Sequence, residues 1–364
     1  MTKETLSGRE RVRLALRHQE TDRIPIAMVC SGINAPARAT LAEYLRRERG
    51  LTVEAYLEPL IDVVQVAPLY RGPKLAPDED IWGVRRRPVS YGSGSYDEIC
   101  YYPLANAETI DEILAHRWPS TDWFDYAVLP ERIAAVQATR ERAILVANGN
   151  IFESSWYMRG FERMFLDFVL HPDLAHEILR RVADFYVAHF NRMLAAAPGQ
   201  IDLAFTADDL AGQQGPLLSH EMWETFIKPQ HKRLNEAIHQ FEGVHVIYHS
   251  DGAVLPFVEG LIDMGIDVLQ ALQFSARGMD PRVLKARFGD QLCFEGGVSV
   301  QTTLPFGSPE EVRAEVRELI EVLGRGGGYI LGPAHNIQAG TPPENIVAMF
   351  DAAAEYYPFC HSGG

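Results

Sequence analysis

The chain has 364 residues, 47% of them hydrophobic, enough to bury a large core as two ordinary domains or as one barrel with insertions. Lys and Arg total 34 against 49 Asp and Glu, and the formal charge of -15 repels polyanions and anionic membrane surfaces, so nucleic acid is not an expected partner. The start, MTKETLSGRERVRLAL, lacks an apolar stretch followed by a small-residue cleavage site, and no run approaches the roughly 18 apolar residues of a spanning helix; a cytoplasmic protein is expected, with no membrane association.

In chain order, Ser7-x-x-Glu10 forms a capping box that opens a helix, which leads through Asp22 and Arg23 into IPIAMV at residues 24–29, the first predicted strand. Residues 62–68 (DVVQVAP) are the second. Residues 70–105 are rich in Pro, Gly and Tyr and carry Arg85-Arg86-Arg87 between Trp82 and Tyr91, which reads as a hairpin insertion over a barrel mouth. The triple arginine is expected to be a solvated hairpin edge and not an anion clamp. Short apolar runs then alternate with amphipathic stretches. The predicted strands are residues 144–150, 203–208, 244–250, 268–273, 293–298 and 329–334.

Ser219 opens a helix with Met222, Trp223, Phe226 and Ile227 on its apolar stripe, which Pro229 is expected to kink or break. Ser308-Pro309-Glu310-Glu311 is a second capping box, followed by Val312, Val316, Leu319, Ile320 and Leu323 on one face and ended by Gly324. Gly326-Gly327-Gly328 precedes a strand and reads as a tight turn, and Thr341 starts the last helix. No internal repeat or linker is evident, so residues 1–364 are expected to form a single domain. The alternation predicts a parallel sheet in an α/β fold, a (β/α)8 TIM barrel. A doubly wound sheet would show a Gly-rich turn after its first strand, where this chain has CSGINAP.

Parallel barrels carry function at the carboxyl ends of their strands. There the sequence places Asn148, Asp208, Asp209, Gln213, His249, Asp251, Gln273, Glu295 and His335. His249 and Asp251 are two apart and so project from one strand face, about 6 to 7 Å apart at Cα. His335 follows the last strand and can reach the same axis. Two imidazoles and a carboxylate hold a divalent metal while leaving positions open for water or substrate. The alternative is a core histidine beside a helix-capping aspartate. His245 shares the face of His249 but lies about 13 Å away toward the amino end, which makes it structural. Asp208 and Asp209 are candidates for proton transfer or substrate orientation, against a helix-capping role. Glu295, an acid inside an apolar strand, is a third catalytic candidate with an expected perturbed pKa. Asn148, Gln213 and Gln273 are candidate substrate-binding residues. Cys30, Cys100, Cys293 and Cys360 stand apart with no C-x-x-C pair, which points away from a disulfide framework and from a thiolate zinc knuckle.

Five segments in order, RERVRLALRHQETDRIPI, TADDLAGQQGPLLSHEMWETFIKP, YHSDG, FGDQLCFEGGVSVQTTLPFGSPEEVRAEV and GGGYILGPAHNIQAGTPPENI, resemble the uroporphyrinogen decarboxylase superfamily over nearly the whole chain. The resemblance implies a (β/α)8 barrel. The haem-pathway decarboxylases of that superfamily grip a tetrapyrrole with an arginine-bearing segment after the first strand and need no metal; this chain has AMVCSGINAPAR there, without arginine until Arg38. The other branch holds zinc-dependent methyltransferases that move a methyl group between a corrinoid and a thiol or another acceptor. Their zinc sits on a His-x-Cys-Gly motif and a later cysteine.

By that resemblance His249 matches the histidine, Asp251 stands at the first cysteine position and His335 falls near the second, before the shared Gly-Thr-Pro. Exchanging thiolates for a carboxylate and an imidazole hardens the site, so iron or manganese joins zinc as an expected metal. The resemblance implies methyl transfer or demethylation of a small methoxylated or methylamine-type substrate, with a corrinoid protein or tetrahydrofolate as methyl partner. It leaves two other readings open, a metal-independent decarboxylase and a non-catalytic ligand-binding member. Family barrels often pair, and Tyr356, Tyr357 and Phe359 could join a homodimer interface.

Overall fold

Every strand predicted in the second half forms, within a few residues of its expected bounds. A computed structural model describes residues 5–29, 32–90 and 95–356. Seven short parallel strands pair in chain order: β1 Val63–Gln65, β2 Ala143–Val146, β3 Leu203–Ala207, β4 His245–His249, β5 Val268–Ala271, β6 Cys293–Val298 and β7 Tyr329–Pro333. Residues 24–29 complete the cylinder between β7 and β1. Leu331 donates its N–H to Pro25 (2.8 Å), Ala27 donates to Leu331 (2.9 Å), and Asp62 donates to Ile26 (2.8 Å). The fold is the (β/α)8 barrel, with helices alternating with strands and packed outside them.

The amino ends of alternate strands carry one repeated device. Ile61-Asp62-Val63, Ile201-Asp202-Leu203 and Ile266-Asp267-Val268 open β1, β3 and β5. Each aspartate carboxylate accepts the amide of the preceding stave: Asp62 that of Ile26 (3.0 Å), Asp202 that of Ile144 (2.9 Å) and Asp267 that of Val246 (2.6 Å). Each backbone carbonyl accepts the amide of the next strand, from Ala143, His245 and Cys293. One residue thus ties three staves together. Asp62 also pairs with Arg11 (2.9 Å), Arg23 (2.6 Å) and Arg140 (2.5 Å), the first two fully buried. Arg11 lies on the helix Gly8–Leu16, started by the Ser7–Glu10 capping box, and this helix stoppers the barrel with Val12, Ala15 and Leu16.

Other expectations meet the structure as follows. Arg85–Ser90 and Ser95–Tyr101 form an antiparallel hairpin inside the predicted insertion. Its arginines pair with acids of the insertion, Arg86 with Asp80 (2.6 Å), Arg85 with Asp78 (3.8 Å) and Arg87 with Glu98 (3.7 Å), as a solvated edge would. Pro229 does not break its helix. His220–Met222 passes through a π-turn, Trp223–Ile227, into Lys228–Ile238, with Pro229 in the first turn of that last segment. The i to i+5 bonding absorbs the amide that proline lacks. Tyr356 contacts Glu321 and the Arg317 guanidinium, while Tyr357, Phe359, Cys30 and Cys360 lie outside the described residues.

Inside the barrel, Leu203, Phe205, Ile247, Val268, Cys293 and Ile330 pack as an apolar filling. Glu295 shares that interior, fully buried, and burial pushes its pKa up to about 8. The Gln270 amide and the Val29 backbone lie close by and act against that rise, yet neither Glu295 oxygen makes a hydrogen bond of good geometry. Gly332 makes the room: a Cβ there would come within 3.0 Å of the Glu295 carboxyl.

Two predictions follow from this packing. Asp62→Ala removes the buried carboxylate that Arg11, Arg23 and Arg140 share and should cost about 3 to 5 kcal/mol in urea unfolding; a loss below about 1 kcal/mol would show that the cluster does not hold the barrel closed. Unfolded Glu295 releases its proton near the ordinary glutamate value, while folded Glu295 keeps it to about 8. The unfolded chain therefore binds fewer protons in that window, and stability falls as pH rises through it. Melting temperatures of Glu295→Gln should fall less between pH 5 and pH 8 than those of the parent.

Candidate metal centre

The polar residues of the mouth are set by strand register. His249 ends β4 opposite Ala207 on one side and Gln270 on the other, and Gln270 in turn pairs with Glu295. Because side chains alternate along a strand, these three inward residues form a polar line across adjacent staves. His249 Nδ1 lies 2.5 Å from Gln270 Oε1, and Gln270 Nε2 donates to the Val29 carbonyl at 2.9 Å. A backbone carbonyl only accepts, which fixes the orientation of the Gln270 amide; its oxygen then only accepts from His249. Nδ1 is thus the nitrogen that donates to Gln270, and Nε2 is the one turned to the mouth.

Two residues after His249, Asp251 places Oδ1 4.0 Å from His249 Nε2 and Oδ2 3.9 Å from His335 Nε2. One donor atom from each of the three lies within 4.8 Å of the others. Asp251 Oδ1 is buried and has no hydrogen-bond partner among the described residues, and burial raises the carboxyl pKa against the pull of His249. Four-coordinate ligands about 2.1 Å from an ion stand roughly 3.4 Å apart, so the widest of these separations, up to 4.8 Å, needs to shorten by about 1.4 Å, a shift within reach of side-chain rotation. The residues fit a divalent cation. Asp209 lies beside them, its Oδ1 accepting the Asp251 amide at 2.8 Å and standing 3.8 Å from His249 Nε2.

The remaining candidates divide by position. Asp208 is fully buried, and its oxygens accept the amides of Phe152 and Glu153 (both 2.7 Å) and face His231 Nε2 at 2.5 Å. It thereby satisfies the first turn of the helix Ile151–Arg159, which lacks a side-chain cap of its own. Gln213 donates to Gln273 (2.5 Å), whose oxygen also accepts the Gly252 amide (3.1 Å), so the two glutamines brace the loop behind Asp251. Asn148 is exposed beyond the end of β2. His245 sits at the opposite end of β4, 3.9 Å from Asp267.

Three contributors escaped the sequence reading. Gln270 looks like any polar residue in VLQALQ until register pairs it with His249. His231 lies on the distant helix Lys228–Ile238. Glu153, at the helix start where acids are common, is raised to about 8 by burial and by Asp208 and Asp209. Asn150 Nδ2 stands 2.5 Å from Glu153 Oε2 while Asn150 Oδ1 has no hydrogen-bond partner among the described residues. With the amide turned over, a protonated Glu153 would donate to that oxygen, in keeping with a neutral acid at pH 7.

The chain matches the uroporphyrinogen decarboxylase (URO-D) family over residues 103–356. The uroporphyrinogen decarboxylase of Saccharophagus degradans is 28% identical over 51% of this chain and 49% of its own length, so that match spans about half of the relative. The enzyme of that name from Alkalilimnicola ehrlichii is 24% identical over 97% of this chain and 95% of its own. A methylated-thiol–coenzyme M methyltransferase from Methanosarcina mazei is 29% identical over 56% of this chain and 51% of its own length. Among solved structures, a methyltransferase from Methanosarcina mazei superposes with a TM-score of 0.67 at 19% identity, covering 97% of this chain and 99% of its own, a likeness of fold. With the family match spanning well over half of the residues, and with the barrel and its mouth arranged as described, the chain belongs to the uroporphyrinogen decarboxylase family, an enzyme family whose matched members include both decarboxylases and a methyltransferase.

Proposed function

We propose that the chain is a single-domain, metal-dependent methyltransferase or demethylase of the cytoplasm, acting on a small methylated substrate with a corrinoid protein or tetrahydrofolate as methyl partner. The observation that carries this reading is the convergence of His249, Asp251 and His335, with a buried carboxylate oxygen among them that has no hydrogen-bond partner among the described residues. A methyltransferase relative and a methyltransferase neighbour in fold support it. Zinc suits a tetrahedral set of two imidazoles and a carboxylate, and iron or manganese would also be accepted by these harder ligands. When bound, a divalent ion supplies Lewis acidity toward the oxygen or nitrogen that carries or receives the methyl group.

The chain's own residues do the rest in this reading. His249, Asp251 and His335 hold the ion, and Gln270 keeps the Nε2 lone pair of His249 free for it. Asp209, partly exposed beside His249, orients the substrate and moves protons. Asp208 acts through the helix start that carries Glu153, and Glu153, neutral at pH 7, is a proton donor at the mouth. Glu295 lies beside Gln270 on the next strand and tunes it without reaching the substrate. Asn148 contacts substrate, while Gln213 and Gln273 hold the Asp251 loop in place. Homodimerisation is a further part of the proposal.

Purified protein should hold about one equivalent of divalent metal by elemental analysis, and His249→Ala should lose it. Gln270→Ala should weaken metal binding about 10- to 100-fold while leaving the ligands in place. Methyl transfer to cob(I)alamin, followed by its absorbance change, should vanish on chelation and return with metal. Metal retained unchanged by His249→Ala, or carbon dioxide release from a tetrapyrrole acid that ignores chelators, would overturn the proposal.

A further inference from the structure

A cavity of about 440 Å³ lies between the insertion and the helices that follow β2, within the size range of small-molecule sites. Its walls are aromatic. Trp82, Phe185 and Tyr186 pack edge to face with ring centres 5.2 to 5.6 Å apart, and Phe124 meets His189 at 4.7 Å. Rings locked against one another in this way form a rigid apolar wall, onto which a further flat ring can pack.

The polar groups around that wall carry no free charge. Asp80 pairs with Arg86 at 2.6 Å and also accepts the amides of Trp82 (2.9 Å) and Val84 (3.1 Å). Burial lowers the pKa of His189 to about 4, so its ring is neutral, and its Nδ1 faces the Tyr126 hydroxyl at 2.6 Å. The Tyr186 hydroxyl is taken up by Ser154 at 2.9 Å. Asn148 is different: it lies exposed on the lining, and no hydrogen bond from its amide to another described residue is present.

A chain of side chains links the cavity to the candidate metal centre. Asn150, also on the lining, contacts Glu153, which feels the charge of Asp209, and Asp209 stands 3.8 Å from His249 Nε2. A polycarboxylate would find its one cationic lining residue, Arg86, already paired. A methylammonium would find no carboxylate free to balance it. A neutral ring meets neither cost, and an oxygen substituent on it can use the Asn148 amide.

We propose that this cavity binds a neutral, single-ring arene bearing an oxygen substituent, and that the substrate of the site is an aryl methyl ether. The second half rests on the methyl-transfer reading given above. The methyl–oxygen bond of such an ether breaks with its electron pair left on oxygen, which takes a proton to become the phenol. The methyl group is bonded by the electron pair of a reduced, cobalt(I) corrinoid, which becomes methylcobalt(III).

Phenol serves as a probe of the cavity that contains no methyl group, with binding measured by calorimetry on the whole chain. Leu75→Trp fills the cavity from the insertion side and Asn148→Ala removes the amide; each should weaken phenol binding at least about tenfold. Cyclohexanol should bind about fivefold more weakly than phenol, the loss of an aromatic pair, and tetramethylammonium more weakly still. His249→Ala should bind phenol as the parent does, and Leu75→Trp should keep its metal. Phenol binding that ignores Leu75→Trp, or tetramethylammonium binding tighter than phenol, would overturn the inference even if metal is held. Normal phenol binding by a protein that holds no metal would leave the cavity assignment standing and remove the methyl-transfer reading.

Discussion

The structure depends on carboxylates that join neighbouring staves at the amino end of the barrel. A barrel of short parallel strands has few backbone bonds per stave, and residues 24–29 have fewer than the others, with a single ladder bridge, Ile26 to Leu331. Asp62 compensates by binding the Ile26 amide and gathering Arg11, Arg23 and Arg140 around itself. An ion cluster of this kind contributes chiefly by specificity: each member is costly to bury alone, so the staves are held in one register.

That closure reaches the opposite end of the molecule. His335 follows β7, which borders residues 24–29, and Gln270 is oriented by the carbonyl of Val29 at the end of that same segment. A slip of the seam would therefore reorient the histidine tautomer and the third donor together. Only His249 of the metal candidate sits on a strand; Asp251 and His335 lie just past strand ends, and Gln213, Gln273 and Asp209 brace the loop that carries Asp251. Support of this kind is what keeps a site within a few tenths of an ångström of working geometry.

The same mouth separates its carboxyl groups by environment. Asp208, with its oxygens engaged by backbone amides and His231, serves the architecture. Glu153 and Glu295 are pushed toward the neutral form by burial, and Asp251 keeps one oxygen unpartnered among imidazoles. Acids driven apart in this way can take different roles within one small volume. Aromatic rings contributed by the insertion and by the helix Pro172–Ala196 flank that volume, so recognition and chemistry draw on separate parts of the chain.

Much of this was legible in the sequence, because local rules dictated it. The alternation of apolar runs with amphipathic stretches specified the barrel. The Ser7 and Ser308 capping boxes specified helix starts, and the spacing of His249 and Asp251 at a strand end put two donors on one face. Those patterns depend on residues a few positions apart. Tertiary structure decided whatever depends on register or on distant segments meeting. Gln270 became the partner of His249 only when β4 paired with β5, and Asp208 turned to the helix start at Phe152 because β2 and β3 are neighbours. Pro229 passed into a continuing helix because a π-turn preceded it. The Ile-Asp triplets at residues 61, 201 and 266 were visible as letters, but without a fixed period their common task appeared only once each was seen joining three staves.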